Sequence, residues 1–248
     1  MSELVGKAAM VVGAGRGLGR GIADAFADAG ASVVAVARSR PEVAELAAAN
    51  VNIRAEAADA ADAQTASDLL DRYKPAVVVL VAGAVPVMGR LQDQTWETFS
   101  VNWHADVKIA FHWLQAALTK PLAPGGRVVV VSSGAAVKGS PASGGYAGAK
   151  ATQRFLADYA RVEAQRAGLD VTVTVVLPAA MTPFGAVGRQ GIQAYAARSG
   201  QSEDAFVKQL GDLLTPELAG AALVELLQTD PADTAAAYLL TSNGLKPA

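Results

Sequence analysis

The sequence predicts an α/β fold: a single domain over residues 1–248, in which one doubly wound parallel sheet carries helices on both faces. Two observations predict it. Short valine-rich runs bounded by Gly, Pro or Asp alternate with longer segments that carry Ala and Leu at helical spacing. Continuous apolar strands between helices are typical of a parallel sheet covered on both faces, and right-handed crossovers make such a sheet doubly wound.

The predicted strands and helices follow one another along most of the chain. Thr215 and Pro216 mark a helix start, because Thr is a good N-cap and Pro suits the first helical position. The predicted strands are Lys7–Val12, Ser32–Ala37, Val77–Val81, Gly126–Ser132 and Asp170–Leu177, with weaker candidates at Ile53–Ala55 and Ala237–Thr241. The predicted helices are Leu18–Ala29, Ala63–Tyr73, Trp96–Leu118, Tyr146–Ala167 and Pro216–Gln228.

One long segment, residues 183–214, carries no strand signal and mixes glycines with Phe184, Tyr195 and Phe206. Two alternatives are open for it: a lid over a binding site, or a helical insertion on the surface of the domain.

Composition excludes several classes of protein. The net charge is −2 and the pI about 5.7, so we expect no nucleic-acid partner and no anionic membrane surface as partner. The chain has no cysteine and two histidines, His104 and His112, so we expect no metal site. No apolar run approaches the roughly 20 residues that span a bilayer. With Glu3 and Lys7 in place of an apolar leader, the expected location is the cytoplasm.

A glycine-rich turn joins the first predicted strand to the first predicted helix. Glycines allow a tight turn and a close approach to a pyrophosphate, while the helix N-terminus supplies N–H groups and the positive end of its dipole. This context, the first strand–helix turn of a Rossmann-like sheet, favours dinucleotide binding over a merely structural glycine turn, which stays the alternative. The candidate contacts are Gly13, Gly15, Arg16, Gly17, Leu18 and Gly19.

The residues after the second strand predict which dinucleotide binds. An acidic residue there would bind the ribose 2′-hydroxyl of NAD, but the sequence gives Arg38, Ser39 and Arg40. The guanidinium of Arg38 can pair with a 2′-phosphate, and Arg16 in the glycine-rich turn could reach the same group, with no carboxylate to compete. We therefore expect NADP(H); the alternative is that either arginine is simply a solvated surface residue.

A candidate catalytic group begins with Tyr146 and Lys150, which share one face of a predicted helix. A nearby ammonium favours the phenolate, so Tyr146 can exchange a proton with a substrate oxygen as general acid or base. Ser132 and Ser133 end a buried strand, where the ligand crevice of a doubly wound sheet lies, and a Ser there can donate to a substrate oxygen. Asn102, in the helix after the fourth strand, can hold a water through its amide.

Together, the glycine-rich turn, Asn102, Ser133, Tyr146 and Lys150 resemble, in order and spacing, the short-chain dehydrogenase/reductase family over nearly the whole chain. The resemblance implies that Tyr146 is the proton donor or acceptor and that Lys150 lowers its pKa and binds the nicotinamide ribose. It implies that Ser133 orients the substrate carbonyl and that Asn102 anchors a water linking Lys150 to solvent.

The same resemblance implies further cofactor contacts and shows where the chain departs from the family. Asp59 matches the residue that contacts adenine, and Arg38 the position typical of NADP-preferring members. Leu80-Val81-Ala82-Gly83 stands where the family has Asn-Asn-Ala-Gly. Pro178-Ala179 stands where the family has Pro-Gly. Thr182, the expected contact of the nicotinamide carboxamide, comes one residue earlier than the corresponding Thr of the family.

The resulting expectation is an oxidoreductase that transfers a hydride between NADP(H) and a small carbonyl or alcohol substrate. The family often forms tetramers through the helices around Asn102 and Tyr146, so we expect a homo-oligomer, a tetramer or a dimer. His104, two positions after Asn102, is expected to point away from the site. Two other functions remain as alternatives: a non-catalytic NADP(H)-binding sensor, and an epimerase or dehydratase on the same fold.

Overall fold

Runs of β-branched residues build the centre of the molecule, because side chains branched at Cβ suit a buried extended backbone. A computed structural model describes residues 4–120, 122–179 and 181–248, so Glu3 lies outside the described residues. The strands of this described part are β1 (Ala8–Val12), β2 (Ser32–Ala37), β3 (Ile53–Ala57), β4 (Val77–Leu80), β5 (Gly126–Val131), β6 (Val171–Pro178), β7 (Ala237–Thr241) and β8 (Gly244–Pro247).

These strands form one sheet in the order β3-β2-β1-β4-β5-β6-β7-β8. The strands from β3 to β7 run parallel, which confirms the predicted doubly wound α/β fold, and β8 pairs antiparallel with β7. The strand order reverses at β1, where Val12 pairs with Val36 of β2 on one side and Leu80 of β4 on the other. A crevice opens outside the carboxyl ends of parallel strands at such a switch point.

Helices pack on both faces of the sheet, since each face of a strand presents alternate side chains. The helices are α1 (Gly17–Asp28), α2 (Arg40–Ala49), α3 (Ala63–Tyr73), α4 (Trp96–Phe99), α5 (Lys108–Thr119), α6 (Ala135–Lys138), α7 (Gly144–Arg166), α8 (Ala186–Arg198), α9 (Glu203–Gln209) and α10 (Pro216–Gln228). Val11 lies in the cluster formed with α1, α2 and α10, while Met10 and Val12 lie in the cluster formed with α3, α5 and α7. No helix of the described residues is both long and apolar enough to cross a membrane.

The structure differs from the predicted elements in several places. The predicted helix Trp96–Leu118 is interrupted: α4 ends at Phe99, residues 103–107 form a π-helix, and α5 begins at Lys108. Helix α2 was not predicted, because its small apolar residues give little amphipathic pattern. Strand β8 was not predicted either, because only four residues form it and two of them are Gly and Pro. The segment 183–214 holds α8 and α9.

Candidate active site

A cleft of about 1100 Å³ opens at the carboxyl ends of β1, β4 and β5. Every residue expected to contact a cofactor lines it, from Gly13 in the first turn to Thr182 after β6. Ser133, Tyr146 and Lys150 line it as well, whereas Asn102 lies behind its wall. The fold therefore brings three of the four candidate catalytic residues to the same space as the glycine-rich turn.

The glycine-rich turn has the shape that a pyrophosphate needs. Gly13 has a φ of 103°, and a Cβ there would lie 2.5 Å from the backbone nitrogen of Ala82, so other residues would be strained. A Cβ at Gly19 would overlap the carbonyl oxygen of Gly13, so the helix packs directly on the turn. No side chain caps the N-terminus of α1, which leaves its first N–H groups for an anion. The residues present therefore fit a dinucleotide.

Charged side chains gather at the end of the cleft beyond β2. Arg16 and Arg38 both line the cleft there and both are exposed. Arg38 takes part in none of the ion pairs formed by the described residues, so its guanidinium is available to bind a phosphate. Asp59 lines the same end, and its carboxylate accepts a hydrogen bond from the N–H of Ala61 at 3.0 Å.

A second carboxylate at this end, that of Glu42, was not expected. Glu42 of α2 lines the cleft, and its Oε1 lies 4.0 Å from Nη1 of Arg16. The expectation that no acid competes with the arginines is therefore wrong. The reason is the unpredicted helix α2, which begins at Arg40 directly after β2 and brings its first turn against Gly15.

The candidate proton donor lies in the first turn of α7. Tyr146 is half-buried, and Lys150 follows one turn later with its Nζ 5.5 Å from the centre of the Tyr146 ring. Ser132, directly after β5, donates to the carbonyl oxygen of Lys150 at 2.8 Å, which holds α7 against the sheet. Ser133 accepts from the N–H of Ala135 at 3.2 Å, so its own hydrogen remains for a ligand in the cleft.

Lys150 is buried among polar side chains. Its ammonium donates to Oε1 of Gln153 at 2.9 Å and lies 3.1 Å from Oδ2 of Asp106. Burial alone would lower the pKa of this ammonium, but the charges of Asp106 and Tyr146 and the hydrogen bond to Asp106 outweigh burial and raise its pKa. Lys150 therefore carries its positive charge beside Tyr146 throughout the neutral range.

Asn102 contacts the backbone of the cleft wall. Its amide nitrogen donates to the carbonyl oxygen of Ala84 at 2.8 Å and to Oδ1 of Asp106 at 3.2 Å. The same Oδ1 accepts from the N–H of Ala84 at 2.8 Å. Asn102 thus reaches Lys150 through a carboxylate. That it anchors a water stays a prediction.

The sequence analysis missed Asp106, although one signal was there: a carboxylate four positions after Asn102 in the same predicted helix. The π-helix Trp103–Val107 places it, because a π turn has more residues than an α turn and rotates the side chains that follow. His104, expected to point away, lines the cleft for the same reason.

The far end of the cleft is built by α6, the loop before α7, and the segment 183–214. The hydroxyl of Tyr195 in α8 lies 2.6 Å from Oγ of Ser140, which lies 2.5 Å from Oγ of Ser143. Thr182 donates its hydroxyl hydrogen to the carbonyl oxygen of Leu214 at 2.9 Å, which ties the start of the segment to its end. Among the residues that the structure describes, His, Asp and Glu form no cluster that could hold a metal ion.

The chain matches a known family over most of its length. The sequence profile of the family described as short chain dehydrogenase covers residues 7–190. The chain belongs to the short-chain dehydrogenase family. This predicted membership is confirmed, and it makes the chain a member of a family of nicotinamide-dependent oxidoreductases.

Individual relatives are distant. An L-xylulose reductase from Mesocricetus auratus is 25% identical over 168 residues, which are 68% of this chain and 63% of that protein. The chain thus spans less than two thirds of that relative's length.

Solved structures share the fold at low identity. A short chain dehydrogenase from Mycobacterium avium has a TM-score of 0.77 at 23% identity, covering 100% of this chain and 86% of that one. An alcohol dehydrogenase from the archaeon Thermococcus sibiricus, complexed with 5-hydroxy-NADP, has a TM-score of 0.77 at 22% identity, covering 98% and 99%. An NAD+-bound xylitol dehydrogenase has a TM-score of 0.81 at 21% identity, covering 93% and 95%.

Proposed function

We propose that the protein is an NADP-dependent oxidoreductase that transfers a hydride between NADP(H) and a small carbonyl or alcohol substrate, with Tyr146 as general acid and base. One observation carries the proposal. The phenol of Tyr146, the ammonium of Lys150 and the hydroxyl of Ser133 line the cleft that begins at the glycine-rich turn. A protein that only sensed the cofactor would need the turn but not this group.

Each of these side chains has a separate role in the reduction. Bound NADPH would supply the hydride. Tyr146 donates its phenolic proton to the substrate oxygen as negative charge develops there, and Ser133 donates a hydrogen bond to the same oxygen. Lys150, charged and fixed beside the phenol, stabilises the phenolate that remains. Oxidation of an alcohol runs through the same groups in reverse.

The preference for NADP rests on Arg38 and Arg16. Both guanidiniums line the end of the cleft where a ribose 2′-phosphate would lie, and Arg38 has no carboxylate partner among the described residues. Glu42 opposes this preference through its own negative charge. The solved relatives include one complexed with an NADP derivative and one bound to NAD+, so the arginines of this chain carry the assignment.

The substrate end of the cleft combines apolar and hydroxyl groups. Met88, Met181 and Leu210 line it together with the hydroxyl cluster of Ser140, Ser143 and Tyr195. We assign residues 183–214 as the lid over this end, because α8 and Leu210 line the cleft and Tyr195 bonds to the opposite wall. A small, uncharged ketone or aldehyde with an apolar part and a hydroxyl group suits such a lining.

The proposal includes a homo-oligomer. Phe155, Tyr159 and Val162 lie along one face of α7 at helical spacing, and they are 68%, 58% and 46% exposed. Phe111 of α5 is 46% exposed. Apolar faces of this kind on soluble proteins usually mark interfaces, so we expect Tyr159→Glu to reduce the assembly size measured by analytical ultracentrifugation.

Consumption of NADPH and of NADH, followed by nicotinamide absorbance with a panel of aldehydes, ketones, hydroxyketones and quinones, tests the function. We expect carbonyl-dependent oxidation that is faster with NADPH. Tight binding of NADPH without turnover of any carbonyl in the panel would favour the sensor. A protein that takes up neither dinucleotide would contradict the proposal altogether.

A further inference from the structure

A buried carboxylate lies behind the candidate catalytic pair. Asp106 is 1% exposed and Lys150 is 5% exposed. The two oxygens of Asp106 have different partners. Oδ1 accepts from the N–H of Ala84 at 2.8 Å and from the amide of Asn102 at 3.2 Å, whereas Oδ2 lies 3.1 Å from the Lys150 ammonium.

Holding the wall of the cleft does not require a charge here. A neutral side chain with one oxygen could accept both hydrogen bonds made by Oδ1, and a buried carboxylate is costly unless a cation compensates it. Oδ2 is therefore not needed to hold the wall of the cleft, and the group that it contacts is the ammonium of Lys150. Gly83 leaves the space for it, because a Cβ at that position would lie 2.7 Å from Oδ2.

We propose that Asp106 is a positioning residue that holds Lys150 charged and in place against Tyr146, and thereby sets the pH range in which Tyr146 exchanges its proton. The inference rests on the proposed function for its link to turnover. It does not add a second proton donor. Tyr146 remains the group that meets the substrate oxygen, and Asp106 acts on it through Lys150.

The arrangement leaves Lys150 free to serve the cofactor. An ammonium has three donors. Gln153 accepts from one of them, and the buried carboxylate of Asp106 forms an ion pair with the ammonium at 3.1 Å, which leaves donor capacity for the cleft that Lys150 lines. Gln153 is itself fixed, since its amide donates to the backbone carbonyl oxygen of Asp106 at 2.9 Å.

Few other charges act on this pair. Helix α7 presents Tyr146 and Lys150 to Asp106, and the backbone of residues 83–84 presents no ionisable group. On Asp106's own stretch of chain, His104 and Lys108 are exposed to solvent, which screens them. The carboxylate of Asp106 is therefore the negative charge that balances Lys150 before a ligand binds.

Asp106→Asn tests the proposal through the pH dependence of kcat/KM for carbonyl reduction. Reduction requires both the phenol and the ammonium protonated, and removing a nearby negative charge lowers the pH at which the coupled pair loses its first proton. We expect the alkaline decline of kcat/KM to move down by about 1–3 pH units, the usual effect of a charge at this distance. An unchanged decline in a folded variant would overturn the proposal.

Two further variants distinguish the loss of the negative charge of Asp106 from a distortion of the site. Asp106→Asn combined with Gln153→Glu returns a carboxylate to Lys150 from the other side, where the Gln153 oxygen now lies 2.9 Å from Nζ. We expect the alkaline decline to return towards the parental pH; failure to return would assign the first effect to distortion. Asp71→Asn removes the carboxylate of an exposed ion pair with Lys120 at 2.7 Å, and should leave the profile unchanged.

A measurement on the unmodified protein keeps the inference testable if Asp106→Asn does not fold or if no carbonyl is turned over. The ¹³Cε signal of Lys150, assigned by its loss in Lys150→Arg, is followed by NMR as the pH rises. We expect Lys150 to stay cationic where the exposed lysines have begun to lose their protons. Deprotonation before the exposed lysines would overturn the inference, whatever the protein's activity.

Discussion

The two ends of the cleft use charge in opposite ways. At the end beyond β2, the side chains of Arg16 and Glu42 are 60% and 38% exposed and lie 4.0 Å apart. Behind Tyr146, the side chains of Lys150 and Asp106 are 6% and 1% exposed and lie 3.1 Å apart. Water and salt screen the first pair, whereas little screens the second. We therefore expect the same kinds of residue to adjust cofactor preference at one end and the protonation of Tyr146 at the other.

This contrast orders the expected effects of substitutions. Changes at the buried end should alter the rate of the chemical step and leave dinucleotide binding nearly intact. Changes at the exposed end should alter the choice between NADP and NAD and leave the rate at saturation nearly intact.

Tyr146→Phe should have the largest effect. It removes the exchangeable proton but keeps the ring, so we expect kcat to fall by about 10²–10⁴-fold while the Kd for NADPH stays within about twofold. Tyr159→Phe is the matched control, because it deletes the same hydroxyl on the same helix outside the cleft, where Tyr159 is 58% exposed. Turnover that survives Tyr146→Phe at the parental level would remove Tyr146 from the chemistry.

Ser133→Ala should have the next largest effect. The hydroxyl of Ser133 is expected to stabilise charge on the substrate oxygen, and loss of one such donor lowers kcat by about 10²–10³-fold. Its one hydrogen bond among the described residues, accepted from the N–H of Ala135, lies at the surface of the cleft, so the melting temperature should change little. Steady-state kinetics and a thermal melt of the same preparation check both parts. A lowered melting temperature with an unchanged kcat would assign Ser133 a structural part.

Arg38→Asp should shift the cofactor preference towards NAD, with a smaller change in free energy than the two substitutions at the buried end. A charge-assisted hydrogen bond to phosphate contributes about 1.5–3 kcal/mol, so the ratio of kcat/KM for NADPH over NADH should fall at least tenfold. Arg40→Asp makes the same charge change two residues on, at a position that does not line the cleft. If both variants lower the ratio equally, the effect belongs to the general field of the protein and not to contact by Arg38.

The two ends also differ in how well the sequence predicts them. The residues of the glycine-rich turn follow one another closely in the chain, and so do Tyr146 and Lys150. The spacing within each group alone is therefore enough to place it on a predicted element. Asp106 and Glu42 could not be placed, because each depends on a helix whose form the pattern does not show. A π-helix carries Asp106 to the cleft wall, and α2 carries Glu42 to the glycine-rich turn. Their positions follow from packing between distant segments, which periodicity does not describe.

Glu42→Gln should have the smallest effect and tests the exposed end most directly. The variant removes a negative charge beside the expected 2′-phosphate and releases Arg16, so NADPH should bind more tightly and NADH should bind as before. An exposed pair contributes about 0.2–1 kcal/mol, which corresponds to a gain in NADPH affinity between about 1.4-fold and about fivefold. The gain should shrink as salt is added, because salt screens exposed charges. Glu45→Gln is the control: Glu45 lies on the same helix, pairs with Arg20 at 2.9 Å and does not line the cleft. Equal gains in the two variants, or none in Glu42→Gln, would mean that Glu42 does not oppose NADP.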